Sequence, residues 1–168
     1  GMPEILKSKI FSLLFPIFAA VLSGFLLVLA FPPYDLGWLV WVGLVPLLMA
    51  ISGRSAKLGF FLSYACGIVF YSGVFSWAYE IPGYRVHHHA IFAICFGACF
   101  ALFGLTFNRI ARRWTITAAY LTAPFVWVCV EYLKSNLFFL ALPWPLLAHS
   151  QYQHSLIIQF ASLTGAYG

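Results

Sequence analysis

Five long apolar runs, at residues 12–31, 36–51, 58–79, 90–110 and 117–136, constrain this chain more than any other feature. Crossing a bilayer as a helix takes about 20 mostly apolar residues. Four of the runs meet that length, and 36–51 is shorter. A further run opens at Leu156 and reaches only ten or so residues before position 168. The rest of the chain cannot offset them in water, because only 8% of its residues are charged while 63% are hydrophobic. A soluble domain carries about 25% charge. The chain therefore reads as an all-α integral membrane protein: a polytopic bundle of five transmembrane helices plus the start of a sixth. It forms one N-terminal transmembrane domain over 1–168, with no complete soluble domain, and is expected to be part of something longer.

Charge sets the orientation. Taking the N-terminus as cytoplasmic, the inner segments hold Lys7, Lys9, Arg54, Lys57, Arg109, Arg112 and Arg113, seven of the nine basic residues. Only Arg85 and Lys134 fall to the outer side. An excess of Lys and Arg on cytoplasmic loops favours an N-terminus inside. The net charge of +5 is spread between apolar runs rather than gathered in a patch, which argues against a nucleic-acid partner.

Three segments then face outward, at 31–37, 79–89 and about 135–155. The first, Phe31-Pro32-Pro33-Tyr34-Asp35-Leu36-Gly37, reads as a proline turn. The third contains 142–151, Leu-Pro-Trp-Pro-Leu-Leu-Ala-His-Ser-Gln, which cannot be an ordinary helix. Pro143 and Pro145 remove backbone donors and bias the residues before them out of the helical region. Trp144 is held between them, and polar His149, Ser150 and Gln151 follow. A stiffly held aromatic followed by polar groups suits a membrane–water boundary.

Candidates for chemistry are few. Glu131 and Lys134 lie three apart near the end of the fifth run, on one helix face where they can pair. An ionisable residue in or beside a span is a functional candidate because burying it is costly; a helix-end anchor with a snorkelling lysine explains the pair equally well. His87, His88 and His89 are consecutive, and neighbours on a helix diverge by about 100°, so an interfacial polar cap is the better reading than a metal site. Asp35 and Glu80 read first as solvated or capping carboxylates. Cys66, Cys95, Cys99 and Cys129 all lie in apolar runs and read as small packing residues rather than as a metal site or disulfides. No nucleophile motif, metal site or phosphate-cradling loop is visible, so no catalytic residue, metal or cofactor is assigned.

The order of several short motifs resembles a known family. Phe31-Pro32-Pro33-Tyr34-Asp35 followed by Trp41-Val42-Gly43-Leu44-Val45-Pro46-Leu47 resembles the first helical hairpin of the apolipoprotein N-acyltransferases. The run from Gly59-Phe60 through Ser76-Trp77 resembles their third helix. Glu131-Tyr132-Leu133-Lys134 resembles the family's Glu-Trp-Leu-Arg. Leu142-Pro143-Trp144, then Ser150-Gln151, then Gly165-Ala166-Tyr167-Gly168 resemble its Phe-Pro-Trp, Tyr-Ser-Gln and Gly-Val-Tyr-Gly. The chain departs from the pattern at Tyr132, Lys134, Leu142 and His149, and Pro145 adds a second proline.

The resemblance implies a bacterial inner-membrane enzyme that moves an acyl chain from a phospholipid donor, through a cysteine thioester, to the α-amino group of a diacylglyceryl apolipoprotein. It places the catalytic Glu, Lys and Cys in a nitrilase-like domain beyond this chain, so the fragment alone is expected to be inactive. It also implies a substrate-binding role for Trp144; Glu131, Lys134 and Gln151 are taken as substrate-binding candidates beside it. Two alternatives stay open on the residues alone. One is the membrane domain of another nitrilase-like enzyme acting on lipid or polyprenol. The other is a transporter-like or non-catalytic scaffold, although a transporter needs polar groups at mid-depth and these spans have few.

Overall fold

A computed structural model describes residues 4–136 and 145–165. Every regular element among them is helical: α1 (Glu4–Leu29), α2 (Val40–Gly43), α3 (Val45–Ile51), α4 (Ala56–Val74), α5 (Val86–Arg113), α6 (Ile116–Asn136) and α7 (Ser155–Thr164). Three 3-10 segments, Gly37–Leu39, Phe75–Glu80 and Leu147–Gln151, join or extend them. Among the described residues, three helical stretches are long and apolar enough to cross a membrane: Ala56–Glu80, Val86–Arg113 and Ile116–Asn136. Leu14–Leu29 and Gly37–Ile51 are shorter apolar stretches.

The element expected as one helix over 36–51 is broken. It runs as a 3-10 turn, then α2, then α3, with Pro46 in the first turn of α3. In an unbroken helix the Leu47 amide would bond the Gly43 carbonyl. Here the Ser23 hydroxyl of α1 is inserted between them: it donates to the Gly43 carbonyl and accepts from the Leu47 amide at 3.3 Å. A serine from a neighbouring helix thus satisfies both backbone groups freed by the break, which an apolar environment requires. The fourth expected run, 90–110, is part of a longer helix. It starts at Val86, so His87, His88 and His89 form the first turn of α5 rather than a loop.

Close approach organises the middle of the bundle. A Cβ added at Gly67 of α4 would lie 2.8 Å from the Phe100 Cβ and 2.9 Å from the Gly97 Cα of α5. Small residues let two membrane-type helices approach until their backbones nearly touch. Asn108 of α5 is buried and donates to the Ser55 carbonyl at the start of α4 at 3.2 Å, tying the far end of this pair. Between α4, α5 and α6 the core is largely aromatic. The Tyr71 ring lies 5.0 Å from Phe70, 5.6 Å from Phe96 and 6.0 Å from Phe100, while Trp127 of α6 packs edge-on against Phe100 at 4.8 Å. Edge-to-face packing of this kind adds about 0.5–1.5 kcal/mol per pair beyond area.

Candidate functional site

The segments that leave the C-terminal ends of α1, α4 and α6 meet at one end of the bundle. The first is the turn at 31–37. It contains Asp35 in the left-handed region at φ 56°, a conformation that Asp tolerates better than most residues. The second is the 3-10 segment Phe75–Glu80. The third is 145–152. The first is an outward segment expected from the sequence, the second overlaps the expected 79–89 only at Tyr79 and Glu80, and the third falls within the expected 135–155.

A network of polar contacts joins the first and third. Gln151 is buried and its amide donates to the Gly37 carbonyl at 2.7 Å and to the Ser150 hydroxyl at 3.0 Å. Ser150 donates in turn to the Leu147 carbonyl at 2.8 Å. Further out, the Tyr152 hydroxyl donates to the Asp35 carboxylate at 2.9 Å. Asp35 is therefore tied to the third segment rather than simply solvated.

Glu131 and Lys134 hold the third segment from below. Both side chains are buried, Lys134 to 2% exposure. The expectation that they share a helix face holds, but their hydrogen bonds go to the third segment rather than to each other. The Lys134 ammonium donates to the Pro145 carbonyl at 2.6 Å and lies 5.8 Å from the centre of the Tyr71 ring. The Glu131 carboxylate accepts from the Leu147 amide at 2.9 Å. The buried Trp127 indole N–H lies beside that carboxylate without reaching hydrogen-bond geometry. His149 completes the arrangement: its Nδ1 accepts from the Leu146 amide at 3.2 Å. Partial burial, and then the positive charge of Lys134, hold the His149 imidazole below its ordinary pKa. It is therefore neutral near pH 7, as its role as an acceptor requires. Of the four residues expected to bind substrate, the structure brings Glu131, Lys134 and Gln151 to one segment. Trp144 lies outside the described residues.

Two open cavities flank the first segment. One, of about 460 Å³, is lined by Phe31, Pro32, Pro33, Val74, Ser76, Trp77 and Glu80. The other, of about 370 Å³, is lined by Phe31, Pro32, His149 and Tyr152. Phe31 and Pro32 form a wall common to both. Their lining is mainly apolar, with a carboxylate, an imidazole and a phenol at the margins. The rings and prolines offer apolar contact and the margins offer polar contact, the mix found in small-molecule clefts.

The other candidates stay apart from chemistry. His89 bonds the Ser72 carbonyl at 2.9 Å and the Tyr84 hydroxyl at 3.2 Å, and His88 Nδ1 accepts from the Arg85 amide at 3.1 Å. They cap the start of α5 and tie it to α4. No cluster of three metal-ligating side chains occurs among the described residues. The four cysteines are free thiols; Cys66 is in the core, while Cys95 and Cys129 are exposed on the outside of the bundle. Sequence reasoning missed Ser23, which looks like any small residue in an apolar run, and missed Gly37 as the acceptor for Gln151.

Among the described residues, an all-helical bundle with three helices of membrane-crossing length defines the class as polytopic membrane-type helical proteins. Within it, the chain belongs to the apolipoprotein N-acyltransferase N-terminal domain family, whose model matches residues 23–168. It is 29% identical over 157 residues to the apolipoprotein N-acyltransferase of Geobacter metallireducens, covering 89% of this chain and 30% of that protein. It is 28% identical over 168 residues to that of Vibrio vulnificus, covering 95% of this chain and 33% of the relative. With the enzyme of Pasteurella multocida it shares 25% over 150 residues, 87% of this chain and 28% of that one. The chain thus spans about a third of the length of these curated relatives.

Proposed function

We propose that this chain is the N-terminal membrane part of an apolipoprotein N-acyltransferase of the bacterial inner membrane. The whole protein transfers an acyl chain from a phospholipid to the α-amino group of a diacylglyceryl-cysteine at the N-terminus of a lipoprotein. The chain crosses the membrane five times, begins a sixth crossing, and has its N-terminus in the cytoplasm. It supplies the lipid-facing scaffold, while the thioester chemistry belongs to a domain beyond residue 168. Trp144, Glu131, Lys134 and Gln151 belong to the substrate-binding end, with Trp144 lining the path of the acyl chains.

The observation that carries this reading is the convergence of the three segments around Phe31 and Pro32, with an apolar groove on each side and polar groups at its margins. Both substrates are two-tailed amphiphiles, so their site must open sideways to the bilayer near a headgroup layer. Family membership supports the same reaction.

The test uses the purified full-length protein with phospholipid and a synthetic diacylglyceryl peptide. Triacylated peptide above a heat-inactivated control is expected, and its absence would overturn the reading. Trp144→Ala should lower turnover at unchanged expression and thermal stability, and Trp144→Phe should recover most of it, because apolar area matters more than the indole N–H. Full specific activity in the Ala variant would remove Trp144 from the path.

A further inference from the structure

We propose that Glu131 and Lys134 are positioning residues rather than substrate contacts. They form a two-point clamp that holds the 145–152 segment, and with it the His149 and Tyr152 wall of the groove.

The segment poses a physical problem. Pro145 and Leu146 are buried but not helical, so the Pro145 carbonyl and the Leu146 amide lack the partners a helix would supply, as does the Leu147 amide at the start of the 3-10 segment. An unpaired backbone group in an apolar setting is costly. Side chains provide the partners instead. The Pro145 carbonyl is held by Lys134, the Leu146 amide by His149, and the Leu147 amide by Glu131. The last two turns of α6 therefore grip the segment at two places, a carbonyl and an amide two residues apart. One anchor alone would leave it free to pivot; two fix its direction. From Leu147 it continues as a single 3-10 segment to Gln151, which docks on Gly37. His149 and Tyr152, which line the cavity of about 370 Å³, are carried by that segment.

The choice of charged side chains follows. An apolar pair at 131 and 134 would fill the space but orphan the Pro145 carbonyl and the Leu147 amide. Opposite charges three positions apart on one helix face compensate each other, and the Tyr71 ring adds a favourable surface for the ammonium. Exposures of 8% and 2% leave neither side chain open to a lipid in the groove. A residue that acts on substrate from such a position acts through what it holds.

The catalytic part of this inference rests on the acyltransferase reading; the structural part does not, and the experiment separates them. Ser150 is buried at 3% exposure, so in the full-length protein, with native cysteines replaced, Ser150→Cys is a reporter for the docked segment. Maleimide labelling should be slow in the parent. It should rise roughly tenfold or more with Lys134→Met, which keeps length but donates nothing, and return to the parental rate with Lys134→Arg. Glu131→Gln keeps an acceptor for the Leu147 amide and should stay protected, whereas Glu131→Ala should not. This second pair decides the matter if the Met variant fails to fold. The variants that release the segment should raise KM for the phospholipid with little change in kcat. Unchanged labelling in both Lys134→Met and Glu131→Ala would overturn the clamp, even if activity were lost. Released labelling in a protein that transfers no acyl group would keep the clamp and refute the acyltransferase reading.

Discussion

The Gln151 side-chain amide donates to the Gly37 carbonyl at 2.7 Å, joining positions 114 residues apart. This contact closes the first helical hairpin against the last described connecting segment. It is tight on both sides: a Cβ added at Gly37 would sit 2.5 Å from the Ser150 carbonyl oxygen and 3.5 Å from the Gln151 amide nitrogen. The nearer neighbour is backbone, which cannot swing aside. Gly37→Ala should therefore destabilise the protein by about 1–3 kcal/mol, the usual range for overpacking. Thermal unfolding of the detergent-purified protein measures it, and an unchanged midpoint would mean that the two segments are not docked in this way.

The repair at the broken element makes a second prediction. Ser23 is fully buried, and its single hydroxyl serves both the Gly43 carbonyl and the Leu47 amide. Ser23→Ala removes one oxygen and leaves two backbone groups without partners. The cost should be about 1–3 kcal/mol, more than the roughly 0.6 kcal/mol average of a hydrogen bond between membrane helices. A substitution that conservative in volume would otherwise go unnoticed, so a midpoint within error of the parent would show that Ser23 does not bridge the break.

Orientation is tested by labelling. Gly53 and Gly83 sit in the two opposite connections, but both have positive φ, 71° and 87°, so a cysteine at either would be strained. Their exposed neighbours Lys57 and Pro82 are better sites. In a background free of native cysteines, Pro82→Cys should react with an impermeant maleimide in intact cells, and Lys57→Cys should react only after the membrane is opened. The reverse pattern would put the grooved end in the cytoplasm and exclude a substrate that arrives from the outer leaflet.

Helices were legible from the sequence wherever length and apolarity act alone. The runs at 58–79, 90–110 and 117–136 correspond to the three helical stretches of crossing length. The break in 36–51 was not legible, because Pro46 falls in the first turn of α3, where proline is compatible with a helix, so the run reads as continuous. Its repair depends on Ser23, twenty positions before Gly43, and no local pattern announces it. The candidate site divides in the same way. The spacing of Glu131 and Lys134 disclosed a shared helix face. That their partners are the Pro145 carbonyl and the Leu147 amide depends on how the chain returns after 136, which side-chain periodicity does not encode. Asp35 read as a lone loop carboxylate for the same reason, since Tyr152 reaches it from the far end of the chain.

The last prediction concerns pH. His149 accepts the Leu146 amide through Nδ1, which only an unprotonated nitrogen can do. Partial burial and the nearby Lys134 charge lower its folded pKa, while in the unfolded chain it titrates near its ordinary value of about 6.5. The folded state thus binds fewer protons than the unfolded state as pH falls below that value, and stability must decline with falling pH. The contribution is fully present above the unfolded pKa and is lost as pH drops through the lower folded value, where the Leu146 amide also loses its acceptor. His149→Gln provides the control. A glutamine at the third helical position can reach back to the amide at the start of the turn and does not titrate. The melting temperature of the parent should fall between pH 7.5 and 5 by more than that of the Gln variant, and the two should converge at pH 7.5 and above. Other histidines, such as His88 at the start of α5, are common to both proteins and cancel in the difference. Parallel pH profiles for parent and variant would show that His149 does not hold the segment.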